Sequence, residues 1–415
     1  MKRTRKCVRL GLAIGRSTSG WAKTALCSWG ILLAGLFGCQ APSPMADPSQ
    51  DPASGEVPLP AAAGFRAYLV HQGDAGIWTV KCLPVLEQYA CPEIVALDDL
   101  GRCTVLISYS GKWTPWLTVQ DGRWLGGIAH ADVDPRRPGK ELYVGGQRGN
   151  LYQIWPHPHG GFDTNVIAYL PGREIHTLVA ADLDQTREGI ELYAFTRPGG
   201  LYQIQPQAEP GNAFTCRLVE ELPGRVRDAA ILRDSNGEAI GVATVSRSGQ
   251  LCLMQIDAGK PKWTTLYGAD TGLGRLAVRP RTAGGPIVLY VTCDDGCVIR
   301  MEQRGDGCFE SEVIFTGPQG PRGLVSGHFH ADPSVESVAV FGYSKQVQLL
   351  TRKDGGQWRA ETIFEDVDKG HWLVVGEVDG RNTTDEIILS GYGARVVLLT
   401  RPPGYGIQTG AAVGQ

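Results

Sequence analysis

Six basic residues recur along the chain at nearly even steps: Arg123, Arg173, Arg225, Arg275, Arg322 and Lys369, separated by 50, 52, 50, 47 and 47 residues. Each stands beside a glycine in a turn-rich segment between apolar runs. His176 and His371 follow two of them within three residues. If the repeating units close into a ring, the six cations surround one mouth of its central channel and focus a positive potential there. Such an arrangement binds oxyanions: a carboxylated sugar, a phosphate or an acidic peptide. The two imidazoles would titrate near neutrality beside it. The same periodicity also has a structural reading, in which each base caps a turn and pairs with an acid of the neighbouring unit.

The elements that would carry these residues follow from internal repetition. Ala131-Asp132-Val133-Asp134, Glu141-Leu142-Tyr143 and Asn150-Leu151-Tyr152-Gln153-Ile154 return fifty residues on as Ala181-Asp182-Leu183-Asp184, Glu191-Leu192-Tyr193 and Gly200-Leu201-Tyr202-Gln203-Ile204. One column of the repeat runs through Cys103, Leu151, Leu201, Leu251, Val298, Val347 and Val396. Each unit reads as four short alternating strands broken by Gly, Pro and Asp, which is the period of a propeller blade. The 55 glycines in 415 residues are the turn punctuation of about twenty-eight strands. The expected fold is all-β: a seven-bladed propeller of four-stranded antiparallel blades over residues 65–401. The last unit lacks a fourth strand, and the lone strand Phe65–His71 is expected to supply it and close the ring.

The blade pattern resembles the FG-GAP/VCBS repeat, a strand followed by an Asp-x-Asp loop and then Glu-Leu opening the second strand. Asp132/Asp134/Glu141, Asp182/Asp184/Glu191 and Glu377/Asp379/Glu386 carry the resemblance. The family loop binds Ca²⁺ through oxygen ligands at alternating positions. Here Arg136, Thr186-Arg187 and Arg381 fill the third ligand position. The expectation is therefore a guanidinium standing in for the ion, with no cofactor. A Ca²⁺ site completed by carbonyls and water on Asp132, Asp134, Asp182, Asp184, Glu377 and Asp379 is the minority reading. Gly149-Asn150-Leu151-Tyr152 is similar to the third strand of PQQ-type repeats, which occur in outer-membrane assembly lipoproteins.

Residues 1–24 hold seven Lys or Arg and no acid, and an apolar run from Ala25 to Phe37 follows. This is an export segment. Its end, Leu36-Phe37-Gly38-Cys39, resembles the bacterial lipobox, which implies cleavage before Cys39 and lipidation of its thiol. Gln40 after the cysteine resembles outer-membrane sorting. The expected domains are a signal peptide at 1–38, a lipid-anchored Pro/Ser/Ala-rich tether at 39–64, the propeller at 65–401 and a flexible tail at 402–415. Removing residues 1–38 takes seven of the 40 Lys and Arg and none of the 43 acids, leaving 33 against 43 and a mature net charge of −10.

Eight cysteines remain after Cys39, and Cys293 and Cys297 flank a hairpin turn at which they could form a disulfide. No G-x-S-x-G, H-E-x-x-H or P-loop is present. An acidic chain with no basic tract is not expected to bind nucleic acid. The leading expectation is a monomeric, lipid-anchored envelope protein that presents a non-catalytic binding face to an anion, a glycan or a protein. The alternatives are a lyase on acidic polysaccharide with His176 or His371 as base, and a scaffold for outer-membrane protein assembly.

Overall fold

Short alternating segments become blades because they are broken at fixed points by residues that can turn. Asp99-Leu100-Gly101, Gln147-Arg148-Gly149, Arg247-Ser248-Gly249 and Asp294-Asp295-Gly296 each end in a left-handed glycine, with φ of 77, 80, 82 and 100°. A Cβ on Gly101 would lie 2.2 Å from the Arg123 carbonyl oxygen. Lys345 and Ala394 take the same place in two later units at φ of 67 and 56°.

The computed structural model describes residues 57–405, apart from 90, 110–111, 208–213, 281–284, 306, 379 and 381. Residues 1–38, expected as an export segment, Cys39, most of the expected tether, Asp379, Arg381 and residues 406–415 lie outside the described residues. Blade 1 is β3 (Ile77–Leu83), β4 (Glu93–Asp98), β5 (Arg102–Tyr109) and β6 (Lys112–Gln120), and blade 2 is β7 (Leu125–Ala131), β8 (Glu141–Gly146), β9 (Asn150–Pro156) and β10 (Phe162–Tyr169). Blade 3 is β11 (Glu174–Ala181), β12 (Glu191–Arg197), β13 (Gly200–Pro206) and β14 (Phe214–Glu221), and blade 4 is β15 (Val226–Arg233), β16 (Ala239–Ser246), β17 (Gln250–Asp257) and β18 (Lys260–Gly268). Blade 5 is β19 (Leu273–Val278), β20 (Val288–Cys293), β21 (Cys297–Gln303) and β22 (Phe309–Thr316), and blade 6 is β23 (Pro321–Ser326), β24 (Val335–Gly342), β25 (Gln346–Lys353) and β26 (Arg359–Glu365). Blade 7 joins β27 (Gly370–Gly376), β28 (Glu386–Gly391) and β29 (Arg395–Thr400) to β2 (Arg66–Gln72).

The ring is thus closed by the N-terminal strand, as the missing fourth strand of the last unit implied. Consecutive inner strands pack against one another all the way round, from β3 to β7 and on to β27, which returns to β3. The closure extends beyond the expected strand. Val57–Leu59, within the segment expected as tether, forms β1 on the outer edge of β2, and Ala62 donates its N–H to the Ile363 carbonyl at 2.9 Å. At the other end, Pro402–Tyr405 makes a turn that packs on Arg401, whose Nη1 also donates to the Ala63 carbonyl at 2.6 Å.

Second strands are buried on both faces, which is why β4, β8, β20 and β28 read as near-continuous apolar runs. Four of these strands open with a buried glutamate that turns back on its own loop. Glu93 accepts N–H bonds from Val85 and Leu86, Glu141 from Val133, Glu191 from Leu183 and Glu386 from Val378, at 2.8 to 3.2 Å. This glutamate is a loop clamp. The two aspartates of each loop diverge: Asp132 and Asp182 are exposed, while Asp134 and Asp184 are buried. Arg136 Nε donates to Asp134 Oδ1 at 2.6 Å and its Nη2 to Oδ2 at 3.0 Å. Arg187 Nε lies 3.4 Å from Asp184 Oδ2. Burial opposes ionisation of both aspartates, and the bonds from Arg136 and Thr186 overcome it to hold their pKa values below the usual range.

The expected Cys293–Cys297 bridge is not formed. Cys297 is a thiol whose Sγ lies 3.7 Å from Thr316 Oγ1 on β22, so its side chain is turned to the outer strand rather than across the hairpin.

Candidate functional site

Every inner strand begins with the same irregularity. Its pairing to the second strand skips one residue just after the start: Trp78, Gly126, His176, Arg227, Arg322 and His371, with a wider skip at Gly274 and Arg275 in blade 5. A bulge leaves its extra residue unpaired and re-aims its side chain. Repeated round a propeller, it sends one side chain per blade to the same end of the channel.

These side chains join those of the adjoining loops and turns into a closed rim. Arg225 Nη1 lies 3.3 Å from His176 Nε2, and the His176 and Trp124 rings are 4.8 Å apart. Trp124 adjoins Trp78 at 6.2 Å, Trp78 adjoins Tyr392 at 6.0 Å, and Tyr392 adjoins Tyr343 at 6.3 Å between ring centres. The Arg322 guanidinium sits 5.0 Å over Tyr343 and donates to Asp294 Oδ1 at 2.6 Å. Arg227 Nη1 donates to the same carboxylate at 2.9 Å, and the charge of Arg227 acts directly on Arg225, completing the circuit. Lys369 stands 5.6 Å over Tyr343.

The floor is Arg275. It is 7% exposed and crosses the axis on the face of Trp372, 4.0 Å from the ring centre. Its guanidinium donates to the carbonyls of Arg322 (2.6 Å), Arg227 (3.1 Å), Gly274 (3.4 Å) and His371 (3.4 Å), touching four consecutive blades. Burial lowers its pKa to about 10, with Asp228 opposing the fall. The channel mouth is therefore a cup with a closed base.

Charge within the cup is unbalanced. Among the described residues, eight bases (Lys81, Arg197, Arg225, Arg227, Arg247, Arg275, Arg322 and Lys369) face four acids (Asp99, Glu174, Asp228 and Asp294), a surplus of four. Asp294 is the internal counter-ion. Burial opposes its ionisation, and Arg322 and Arg227 override that to hold its pKa below the usual range. Arg225 has no such partner. Burial, then the like charges of Arg227, Arg197 and Arg247, lower its pKa. Its Nε is buried and meets no acceptor among the described residues.

The six bases expected as one ring are divided by the structure. Arg225, Arg275, Arg322 and Lys369 belong to the cup, at three different levels. Arg123 is exposed outside it. Arg173 turns across its own blade, where Nη2 meets Glu221 Oε1 at 2.5 Å and Nη1 meets the Pro198 and Gly199 carbonyls. The neighbour-pairing reading holds for Arg322, which reaches from blade 6 to Asp294 on blade 5. His176 and His371 are in the wall and floor, but neither titrates near neutrality. Burial, then Arg225, lowers the His176 pKa to about 3. Burial and Arg275 hold His371 well below its ordinary value, with its Nδ1 2.7 Å from the Trp78 carbonyl oxygen. Arg227, Asp294 and the aromatic residues were not anticipated. Arg227 carried a readable signal, since it stands one residue past its strand start, as do Arg322 and His371.

Fold and cup together define a seven-bladed β-propeller with a cationic, aromatic-walled depression at one end of its axis. No family model matches the chain, and no curated protein is similar to it at a significant level. Solved propellers are similar in shape. The WD40 β-propeller domain of Doa1 is 11% identical with a TM-score of 0.55, covering 82% of this chain and 98% of that one. The β-propeller domain of Myceliophteria thermophila Cps50 (Swd1) is 9% identical with a TM-score of 0.53, covering 82% and 99%. BBS1N, solved in complex with ARL6DN, is 11% identical with a TM-score of 0.53, covering 79% and 94%. At these identities the likeness is one of fold.

Proposed function

We propose that this chain is an exported, lipid-anchored propeller of FG-GAP/VCBS-like repeats that captures an anionic ligand in the cup and does not transform it. The observation that carries the reading is Arg225, whose guanidinium meets only the His176 ring nitrogen among the described residues and lies beside the like charges of Arg227, Arg197 and Arg247. An oxyanion brought to it gains a charge-assisted bond and relieves that repulsion. The lyase reading loses its base, because an imidazole with a pKa of about 3 is a weak proton acceptor and His176 Nε2 already faces Arg225. A protein partner bearing acidic groups is the second reading. It is favoured by the similar propeller of BBS1N, which was solved bound to ARL6DN.

Anchoring is proposed through Cys39, on the basic segment at 1–24, the apolar run Ala25–Phe37 and the lipobox-like Leu36-Phe37-Gly38-Cys39. Two measurements test the whole. Labelling with palmitate should mark the wild-type chain and not Cys39→Ser. Binding of small carboxylates and phosphates, followed by calorimetry, should weaken about tenfold or more in Arg225→Met, the loss of one charge-assisted contact. Equal binding by the variant overturns the site.

A further inference from the structure

The rim divides into two halves of different chemistry. Its arginines lie on blades 4 to 6, and its flat rings run from Tyr343 of blade 6 and Tyr392 of blade 7 to Trp78 of blade 1 and Trp124 of blade 2, with Lys369 over Tyr343. An isolated inorganic anion would use only the first half. Where the halves meet, the Trp124 ring lies 4.8 Å from His176, and His176 lies 3.3 Å from Arg225. The Trp124 ring, the His176 imidazole and the Arg225 guanidinium therefore follow one another along the rim. On the far side of Trp124, the Trp78 indole is 6.2 Å away at an interplanar angle of only 33°. Trp78 is held in that attitude by edge contact with His371 at 4.3 Å and by its Nε1–H bond to Asp99. Gly126, on the bulge between the two tryptophans, has no side chain to intrude, and a Cβ there would lie 2.6 Å from the Trp124 ring.

We propose that the cup binds a chain of acidic sugars, with the carboxylate of one residue meeting Arg225 and the C–H faces of that residue and its neighbour lying on Trp124 and Trp78. The proposal rests on the anion-binding reading and names its ligand class. A uronate carries an oxyanion and a rigid apolar face in a single residue, which is the pairing the two halves offer. Two indoles 6.2 Å apart and tilted by 33° offer separate faces to successive residues of a chain. The neutral imidazole between Trp124 and Arg225 adds no charge, so the carboxylate is drawn to the guanidinium side.

The test titrates the purified full chain with an oligogalacturonate, its fully methyl-esterified neutral counterpart, an acidic peptide of glutamates and inorganic phosphate. Tryptophan fluorescence and calorimetry are read together. The oligogalacturonate should bind and change the emission, and the ester should bind at least tenfold more weakly. Trp124→Ala should cost about tenfold in affinity, while Trp124→Phe, which keeps a ring, should retain most of it. A thermal melt of each variant reports folding independently. Equal affinity for acid and ester, or no effect of Trp124→Ala in a folded variant, overturns the proposal. If phosphate or the acidic peptide binds with dependence on Arg225 and none on Trp124, the acidic-sugar reading falls and the anion-binding reading stands. If no ligand shows dependence on Arg225, both fall.

Discussion

Replacing Arg275 by methionine tests whether the cup floor is a seam between blades. Two opposing contributions are of similar size. Burial lowers the guanidinium pKa to about 10, which weighs about 3 kcal/mol against its charged form. Against this stand the bonds to three carbonyls on other blades. A hydrogen bond from a charged donor contributes about 1.5 to 3 kcal/mol. The bonds at 2.6 and 3.1 Å fall within that range, and the one at 3.4 Å falls near its lower end. Taken near the lower end of that range they contribute about 5 kcal/mol together, and the attraction of Asp228 is already included in the lowered pKa. The balance is about 2 kcal/mol in favour of the arginine, and methionine recovers part of the packing on Trp372. Arg275→Met should lower the unfolding free energy in urea, followed by tryptophan emission, by about 2 kcal/mol. In an Asp228→Asn background the same change should cost about 1 kcal/mol less, because the attraction of Asp228 for the guanidinium is then gone. Arg275→Lys should be no better than methionine, since one ammonium cannot span carbonyls on three blades. A methionine variant as stable as the parent would refute the seam, and would show that water satisfies those carbonyls without help.

Three further outcomes follow from the same geometry. His176 has a folded pKa near 3, below the roughly 6.5 of an unfolded imidazole, so the unfolded chain takes up its proton first and stability falls as pH drops from about 6.5 towards 3. Urea midpoints measured at pH 7.5, 6.5 and 5.5 should decline more gently in His176→Gln than in the parent. Ala394 sits at φ 56° where four other blades place glycine, so Ala394→Gly should stabilise by about 1 kcal/mol, read as a higher melting temperature; an unchanged or lower melting point would show that no strain is stored there. Arg136 fills the Asp134 loop, so millimolar Ca²⁺ or EDTA should shift the melting temperature by less than about 1 °C, and a larger chelator-sensitive shift would restore the calcium reading.

Much of the fold is legible in the chain because a propeller repeats its own instructions. Hydrophobic alternation, turn residues and the Glu-Leu pair recur at one period, and a last unit short of one strand calls for a partner from the other end. What the chain hid was how far that closure extends. Val57-Pro58-Leu59 sits in a Pro- and Ala-rich stretch with no alternation. It forms a strand only because β2 offers it a free edge, and Ala62 is tied down by a bond to blade 6. The divergence of Asp132 and Asp134 was readable in principle. They are two residues apart, but the chain turns between them, so equal spacing in a family motif does not bring equal ligands together.

The site was harder to read, for a reason built into strand geometry. Counted from the bulge of each inner strand, Arg123 and Arg173 lie three residues before it, Arg225 and Lys369 two before, and Arg322 and Arg275 within it. Steps of 50, 52, 50, 47 and 47 look periodic, yet an offset of one residue sends a side chain to the other face. One residue type recurring once per blade therefore yields an exposed base, an intra-blade ion pair, three wall residues and a buried floor. The true circuit is drawn from several columns at one height. Trp78, His176, Arg227 and Arg322 come from the bulge. Trp124 and Arg225 come from the position before the strand, and Asp294, Tyr343 and Tyr392 come from the first turn residue. In each of these columns the residue changes from blade to blade, whereas the structural glycines and glutamates recur. A ring fold makes its scaffold by repetition and its binding site by departures from it, so the informative positions are those where equivalent blades disagree.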